Sequence, residues 1–430
     1  MENNQPDKRG FDVSGTHAHA ILIVCTLLYM VNYMDRAVLV VELEPMRIDL
    51  GLTDTQAGSL LSIFLLSMAL FSFPASFLVD RWSRRKAMSL MAVIWSVFTY
   101  ITGLGRSFLG VAIPRSLVAV GEAGFTPGGM AMITAAYPER RRSLVMGIFN
   151  IAVPLGSALG LIVGGYISAA TGSWRTPFFV FAVPGIVLAV AALFLKDYKT
   201  VEELDESGRK VGFFSAAFSL FKIPTLKWLY LGFAMQNVMA FSFLTWAPAF
   251  LMRARGITED KAGLSIGMIG LMAIAGSVLG GLITDAWQKK NRRARMYLPS
   301  ISMFGSAALF LLAMHFNFTG FGFAVGLVFG AVLILGLPAL SAVTQDVVTP
   351  GNKGVAWGMN IFCMYALGGG WAPLLVGKLS DSLGGGAYGL KVGLMISSVG
   401  GVLAGILYYI SARHYPEDVD RVADVRLEAE

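Results

Sequence analysis

Long apolar stretches alternate with short polar loops along most of the chain. Each stretch is close to the roughly 20 residues that an α-helix needs to cross the hydrocarbon core of a bilayer. The pattern therefore predicts an all-α membrane protein with twelve transmembrane helices. The predicted spans are 19–42, 56–79, 86–105, 108–136, 144–170, 177–195, 227–251, 262–284, 297–315, 320–345, 354–378 and 390–411.

The two sets of six spans repeat each other. The turn after the second span reads "DRWSRRK", and the turn after the eighth reads "DAWQKKNRR". This repetition predicts two pseudo-symmetric six-helix halves with a binding site between them, near the middle of the membrane. We assign a cytoplasmic N-terminal tail to 1–18, the first half to 19–195, a cytoplasmic linker to 196–226, the second half to 227–411 and a cytoplasmic tail to 412–430.

Charged residues make up 14% of the chain, against about 25% in a typical soluble domain. The net charge is +7, and its Lys and Arg residues cluster in short loops at 80–86, 138–143 and 285–295. This distribution follows the positive-inside rule, so it predicts cytoplasmic termini and argues against nucleic-acid binding. We expect the membrane to be the inner membrane of a bacterium. A loop with Arg253, Arg255 and Lys261 goes against the trend.

Four ionisable residues interrupt apolar spans. Asn32, Asp35 and Arg36 stand at i, i+3 and i+4 and share one face of the first helix. Arg115 and Glu122 are two turns apart on the fourth. A charge at the bilayer centre costs roughly 2.5–3.5 kcal/mol on insertion scales, so these residues are expected to line a water-accessible pocket. The alternative is a pair of buried salt bridges that only hold the N-terminal half together.

The turn after the second span also carries the strongest family resemblance. It resembles the G-x-x-x-D-R-x-G-R-[RK] motif of the major facilitator superfamily, although both motif glycines are replaced by Ser76 and Ser83. The resemblance covers nearly the whole chain and implies a secondary transporter that works by alternating access. It assigns a gating role at the cytoplasmic face to the motif charges and to the acid of the second copy: Asp80, Arg81, Arg84, Arg85 and Asp285. Plain positive-inside topology is the alternative explanation.

Two subfamilies compete within this superfamily. "NYMDR" and "RSLVAVGEAGFTPGG" resemble the anion:cation symporters, which carry sugar acids and other organic anions with protons. The same segments resemble Spinster-like exporters of lysolipid or sphingolipid-like amphiphiles, and "VPLGSALG", "QDVVTPGNKGVA" and "APLLVGKLSD" favour that subfamily. Proton-coupled transport of an organic anion is our first prediction, the exporter is the alternative, and a non-transporting solute sensor is a third possibility.

The symporter resemblance implies roles for individual residues. Arg36 and Arg115 would bind the substrate carboxylate, and Asp35 and Glu122 would carry the proton. Polar and aromatic residues complete the predicted substrate site: Asn32, Tyr33, Gln236, Asn237 and Trp246. Gln236 and Asn237 are equally compatible with interhelical hydrogen bonds.

The remaining motifs add little chemistry. Gly156, Gly160 and Gly164 form a GxxxGxxxG ladder, which favours close helix packing. The sequence contains no P-loop, nucleophile elbow or spaced metal ligands, so we predict no enzymatic activity, no metal and no cofactor. The expected partners are a small organic anion or amphiphile, protons and the lipid bilayer, and we expect a monomer.

Overall fold

The computed structural model describes residues 14–81, 83–197, 220–349 and 352–423, and it is helical, without a β-strand, over these ranges. The N-terminal half contains α1 (Gly15–Val41), α2 (Leu43–Asp49), α3 (Asp54–Arg81), α4 (Arg84–Gly103), α5 (Phe108–Ala123), α6 (Phe125–Ala136), α7 (Glu139–Thr171) and α8 (Thr176–Leu193). The C-terminal half contains α9 (Pro224–Arg255), α10 (Glu259–Gln288), α11 (Ala294–His315), α12 (Phe321–Ile334), α13 (Leu337–Asp346), α14 (Lys353–Cys363), a π-helical segment (Met364–Gly369), α15 (Ala372–Ser382) and α16 (Gly386–Ala423).

The predicted membrane spans correspond to helices. In the described residues, eleven helical segments are long and apolar enough to cross a membrane. The remaining predicted span, 227–251, lies in α9, a 32-residue helix whose hydropathy is lowered by Gln236 and Asn237 near its middle. The all-α membrane fold is therefore confirmed. The predicted linker lies mostly in 198–219, outside the described residues, and α16 runs on to Ala423, into the predicted tail.

Three predicted spans are broken, each at the same distance from a proline. Proline clashes with the carbonyl of the residue four positions earlier and cannot donate the backbone hydrogen bond. Pro127 stands four residues after the end of α5 at Ala123, and Pro338 stands four after the end of α12 at Ile334. Pro373 stands four after the end of the π-helical segment at Gly369. The three breaks thus coincide with prolines, although Pro154 in α7 and Pro248 in α9 stand inside unbroken helices, so proline alone does not determine a break.

The glycine ladder of α7 packs against α1. A Cβ atom added at Gly156 would lie 2.5 Å from the carbonyl oxygen of Met30, and one at Gly160 would lie 2.5 Å from that of Met34. Only glycine allows the two backbones to approach this closely. The structure confirms the packing role predicted for the ladder.

Successive spans run antiparallel, so the bundle has two faces. The terminal face carries the start of α1, the end of α16 and the turn between α3 and α4. The opposite face carries the loops that follow α2, α9 and α15. The two halves meet closely towards the opposite face, where Gly165 of α7 packs on the backbone of Glu259 and Gly58 of α3 packs on that of Pro373.

Helix ends are capped across the two halves, at the opposite face and deeper along the same seam. Asp381 of α15 accepts hydrogen bonds from the backbone N–H groups of Asp54 and Thr55, at 3.0 and 2.8 Å, and so caps the N-terminus of α3. In return, the hydroxyl of Ser62 in α3 accepts a 3.1 Å bond from the N–H of Leu374 at the start of α15. These bonds satisfy backbone groups only while the halves stay in contact, so they favour the closed opposite face.

We predict that Gly165→Ala opens the opposite face. The new methyl group would lie 2.5 Å from the carbonyl oxygen of Glu259, and overpacking of this kind costs about 1–3 kcal/mol. The measurement is a spin-label distance between cysteines placed at Ile48 and Tyr388, exposed residues of the two halves at this face. The population with a long distance should increase.

Gly147→Ala is the matched control on the same helix. A Cβ atom there has no neighbour within 4 Å, so the substitution should leave the distance distribution unchanged and raise helix stability by up to about 1 kcal/mol. An unchanged distribution in Gly165→Ala would contradict the proposed packing.

Candidate functional site

The first ion pair of the central site joins α1 to α5. The Nε atom of Arg36 donates a 2.6 Å hydrogen bond to Oε2 of Glu122. The Glu122 side chain is fully buried, and its Oε1 atom has no hydrogen-bond partner in the described structure. The Arg36 side chain keeps 14% of its surface exposed. The pair therefore combines a reachable cation with an incompletely satisfied buried acid.

The second ion pair runs in the other direction between the same helices. Nη1 of Arg115 lies 3.1 Å from Oδ2 of Asp35, and the Thr99 hydroxyl donates a 2.7 Å bond to Oδ1. Arg115 also donates to the backbone carbonyl of Asp35 at 3.4 Å. Both side chains are buried. Each helix thus supplies one acid and one base, and the acid of each helix pairs with the base of the other.

Aromatic rings enclose the two guanidinium groups. The Tyr33 ring centroid lies 4.6 Å from the guanidinium carbon of Arg36, within the range of a cation–π contact. Phe64 of α3 lies between the pairs, 5.8 Å from Arg36 and 5.3 Å from Arg115. These rings exclude water and hold the cations in place. Asn32 is buried one turn earlier on α1, and its amide nitrogen has no partner in the described residues.

A tyrosine from the other half completes the site. Nη1 of Arg36 donates a 3.4 Å hydrogen bond to the hydroxyl of Tyr365, which lies in the π-helical segment. Segments of π-helix often occur at functional sites, because the extra residue redirects a side chain. The sequence analysis missed Tyr365, and "CMYALGGGWAP" gives a possible signal, since a glycine run before Pro373 favours irregular helix.

A second charged cluster, the opposite-face ion network, closes the other end of the seam. Arg253 of α9 forms two hydrogen bonds with Asp54 of α3, at 2.6 and 2.8 Å, and a third with Glu44 of α2, at 2.5 Å. Arg47 binds Glu44 from the same half at 2.9 Å. The Ser380 hydroxyl donates a 2.6 Å bond to Asp54. One cation of the C-terminal half thus holds two acids of the N-terminal half.

Comparison with known proteins establishes the family. The model of the Major Facilitator Superfamily matches residues 25–373. The chain belongs to the Major Facilitator Superfamily. It is a membrane transporter and not an enzyme.

Relatives of this superfamily transporter include both predicted subfamilies. It is 27% identical to the hexuronate transporter of Bacillus subtilis, over 80% of this chain and 83% of that protein. It is 29% identical to protein spinster homolog 1 of Mus musculus, over 88% and 76%. A crystal structure of a bacterial homolog of the human lysosomal transporter Spinster superposes with a TM-score of 0.82 at 23% identity, covering 94% of this chain and 99% of that one.

Three residues predicted for the substrate site have structural partners in this transporter. Gln236 accepts a 2.8 Å bond from the Tyr408 hydroxyl, and Asn237 donates to the carbonyl of Phe233 in its own helix. The indole nitrogen of Trp246 donates to the carbonyl of Pro373 at 2.9 Å. All three are buried, so a substrate contact would require these bonds to break. Their binding role remains a prediction.

The predicted gate of the transporter is only partly described. The side chains of Asp80 and Arg81 lie outside the described residues. Arg84 is buried, and Arg85 donates to the carbonyls of Leu193 and Leu195. Carbonyls at a helix C-terminus attract a cation, so Arg85 ties α4 to the end of α8. Asp285 is exposed at the end of α10. Gating by this set remains a prediction.

The superfamily prediction missed the opposite-face ion network, although the sequence contains its signal. Arg253 belongs to the loop that breaks the charge bias, and its acidic partners lie in "ELEPMRIDLGLTD", a loop poor in Lys and Arg. An isolated cation on an acidic face is a candidate ion-pair partner. In the described part of the chain, no group of three or more His, Cys, Asp or Glu residues is placed to hold a metal ion.

We predict that Arg253→Gln opens the opposite face. The substitution removes the cation that joins Asp54 and Glu44 to the C-terminal half, while Arg47 still lies 2.9 Å from Glu44 and 3.6 Å from Asp54. Breaking a buried pair costs about 3–5 kcal/mol, and the remaining pairs with Arg47 reduce this cost. Opening hydrates both acids, so the ratio of open to closed transporter should rise by on the order of a hundredfold. The Ile48–Tyr388 spin-label distance measures this ratio.

Arg292→Gln serves as the control for Arg253→Gln. It removes an ion pair with Asp420 that is more than half exposed on both sides and lies within one half. Exposed pairs contribute little, so the distance distribution should not change. Equal distributions in Arg253→Gln and Arg292→Gln would exclude a gating role for the network.

Proposed function

We propose that this transporter moves an organic anion, a sugar acid or another carboxylate, together with a proton by alternating access. The observation that carries the proposal is the ion pair between Arg36 and Glu122, in which the cation is partly exposed and the acid has one unpartnered oxygen. A carboxylate on a substrate is chemically equivalent to Glu122 as a partner for the guanidinium group. Substrate and Glu122 therefore compete for Arg36.

Competition for Arg36 couples the substrate to a proton. When the substrate carboxylate takes the guanidinium group, Glu122 is left in a buried position without a counter-charge. An ionised carboxylate is costly there, so Glu122 binds a proton. The reverse also holds, because a protonated Glu122 releases Arg36 to the substrate. Binding of either ligand thus favours binding of the other, as linkage requires.

The second ion pair, between Asp35 and Arg115, contributes to the net charge of the site. Asp35 accepts bonds from Arg115 and Thr99, so it is better satisfied than Glu122, and we propose Glu122 as the first of the two predicted acids to take the proton. With all four side chains ionised, Asp35, Arg36, Arg115 and Glu122 sum to zero. One added proton leaves a charge of +1, which suits a monoanion. Arg115 supports the site by its positive charge and binds substrate directly if the pair with Asp35 opens.

The opposite-face ion network controls access to the site from the opposite face, as alternating access requires. Its bonds to Arg253 and the crossed helix caps hold the opposite face shut in this state, and we propose that the site opens towards the terminal face. We place the terminal face, with both chain ends, in the cytoplasm of a bacterial cell, because the basic loops lie there. We propose a monomer, since each half already contains its own six-span bundle.

A relative supports an organic anion as the substrate class. The hexuronate transporter of Bacillus subtilis carries a sugar acid by name, and it aligns with most of this chain. A carboxylate of that kind supplies the anionic group that Arg36 would bind. The monoanion is thus our first choice.

An amphiphile exporter is the second candidate. Protein spinster homolog 1 aligns over a similar share of the chain. The N-terminal half also contains a continuous aromatic cluster beside Arg36: Tyr29 stacks on Phe149 at 4.5 Å and meets the edge of Tyr33 at 5.2 Å. A lipid with an anionic headgroup would place that group on Arg36 and its chain along these rings.

We predict that Glu122→Gln separates exchange from proton-driven transport. The amide mimics the protonated acid, so Arg36 stays available and substrate–substrate exchange in proteoliposomes continues. Accumulation driven by an imposed pH gradient should be lost, because the site no longer gains or loses a proton. Counterflow and gradient-driven uptake are measured side by side.

Glu417→Gln is the control for this experiment, because it makes the same chemical change at an exposed residue near the end of α16. It should transport as the wild type does. If Glu122→Gln still accumulates substrate against its gradient, the proton is carried elsewhere and the coupling proposed for Arg36 and Glu122 is wrong.

We predict which ligands stabilise the transporter against heat. Sugar acids should raise the melting temperature. Arg36→Ala should lower the affinity for the sugar acid by about 10–100-fold, the range of one charge-assisted hydrogen bond, and so reduce this stabilisation. Neutral sugars should have no effect. Stabilisation by a lysolipid, with none by sugar or aromatic acids, would favour the exporter and reject the symporter.

A further inference from the structure

Glu42 is a buried acid at the junction of α1 and α2, and neither the central site nor the opposite-face ion network uses it. Its residue has no solvent exposure. Within the described residues, no hydrogen bond of normal geometry reaches either carboxyl oxygen. An ionised carboxylate without a partner is very costly in such surroundings, and a buried acid of this kind takes up a proton instead. We therefore expect Glu42 to be neutral while it is buried.

The helices that pack beside Glu42 from its own half bring no charge. α7 has no charged residue between Leu144 and Thr171, and the group it directs at the carboxyl is the hydroxyl of Ser168. α8 has no charged residue from Thr176 to Leu193. On α2, Glu44 and Arg47 are bound to each other. No described cation in this half is available to neutralise Glu42.

The C-terminal half faces Glu42 with another acid, Glu259 at the start of α10. The neighbouring Asp260 accepts a bond from Thr258, and Lys261 is exposed. Glu42 itself lies one residue beyond α1, which ends at Val41, one residue before the end of the predicted span 19–42. Burial raises the pKa of its carboxyl well above the ordinary value, Ser168 opposes that rise, and the negative charge of Glu259 adds to it.

Glu42 lies at the seam between the halves. Ser168 is one turn along α7 from Gly165, whose backbone packs directly on that of Glu259. A surface cavity of about 270 Å³, lined by Glu44, Arg253 and Glu259 among others, brings solvent to the outer side of this contact. Separation of α7 from α10 would let this water reach the Glu42 carboxyl. Hydration then lowers the free energy of the ionised form.

We propose that Glu42 is a second proton-binding site of this transporter, which holds a proton while the opposite face is closed and releases it to that face when the seam opens. The site is separate from Glu122 by position and by partner. The proposal goes beyond the proposed transport function, because it depends on opening of the seam and not on the substrate or on coupling through Glu122.

The proposal fixes the sign of a pH effect. The closed state binds the proton more tightly than the open state, so raising the pH favours opening and lowering the pH favours closure. One proton changes the ratio of open to closed transporter by at most about tenfold per pH unit. A low pH at the opposite face would therefore return the empty transporter to the conformation in which that face is closed.

The test follows the Ile48–Tyr388 spin-label distance across a pH series. In the wild type, the open population should grow as the pH rises, with a slope of up to about tenfold per unit. Glu42→Gln keeps the shape and neutrality of the protonated acid, so it should hold the low-pH distribution at every pH. Glu259→Gln removes the like charge, so the closed state binds the proton less tightly; the pH-driven increase of the open population should be smaller than in the wild type and should level off at a lower pH.

Asp49→Asn is the control, because it removes an exposed acid of the same segment and should leave the transition unchanged. A wild type without a pH-dependent distance would overturn the proposal. So would an unchanged transition in Glu42→Gln, which would assign the effect to another acid. Loss of gradient-driven uptake in Glu122→Gln is measured separately, so failure of the central coupling does not decide this test.

An infrared measurement covers the case in which Glu42→Gln folds poorly. A protonated buried carboxyl has a C=O stretching band distinct from that of a carboxylate. The wild type in its closed state should show this band at neutral pH, and the band should decrease when Arg253→Gln opens the opposite face. A band of unchanged intensity after opening would contradict proton release from Glu42.

Discussion

An ionised side chain inside an apolar helix bundle has to be neutralised, and this requirement organises the polar interior of the protein. Asp35 and Glu122 are neutralised by arginines of the facing helix in the centre of the N-terminal half. At the opposite face, Arg253 and Arg47 neutralise two acids, and Arg253 joins the halves. Where no cation is available, at Glu42, a proton takes the same role. During transport, the acidic side chains exchange these neutralising partners.

The two charged clusters differ in what they connect, and this difference gives each its function. The central pairs join α1 to α5 within one half, so relative movement of the halves does not by itself break them. The opposite-face ion network joins α9 to α2 and α3 across the seam, so it exists only in one conformation. Tyr365 connects the central site to the C-terminal half, because its hydroxyl accepts a hydrogen bond from Arg36.

Prolines and glycines shape the helices on which these charges are carried. Pro373 ends the π-helical segment that directs Tyr365 at Arg36, and the next turn begins the helix that Ser62 caps from the other half. The glycines of α7 let its backbone lie directly on α1, and Gly165 continues the same close packing across the seam. A tight seam is what keeps water from Glu42 and holds that acid neutral.

The sequence alone determined the fold class, the two halves and the four central charges, because each depends on local pattern: apolar length, repeated turns and costly ions in apolar spans. Only the tertiary structure decided which acid pairs with which base. Arg36 and Asp35 are neighbours in sequence, yet each pairs across to α5, since side chains on one helix face meet the next helix first. Arg253 and Tyr365 carry only a weak local signal, a cation on an acidic face and a glycine run before a proline, and Glu42 carries none. Their partners lie more than 200 positions away in the chain, and no local pattern identifies such partners.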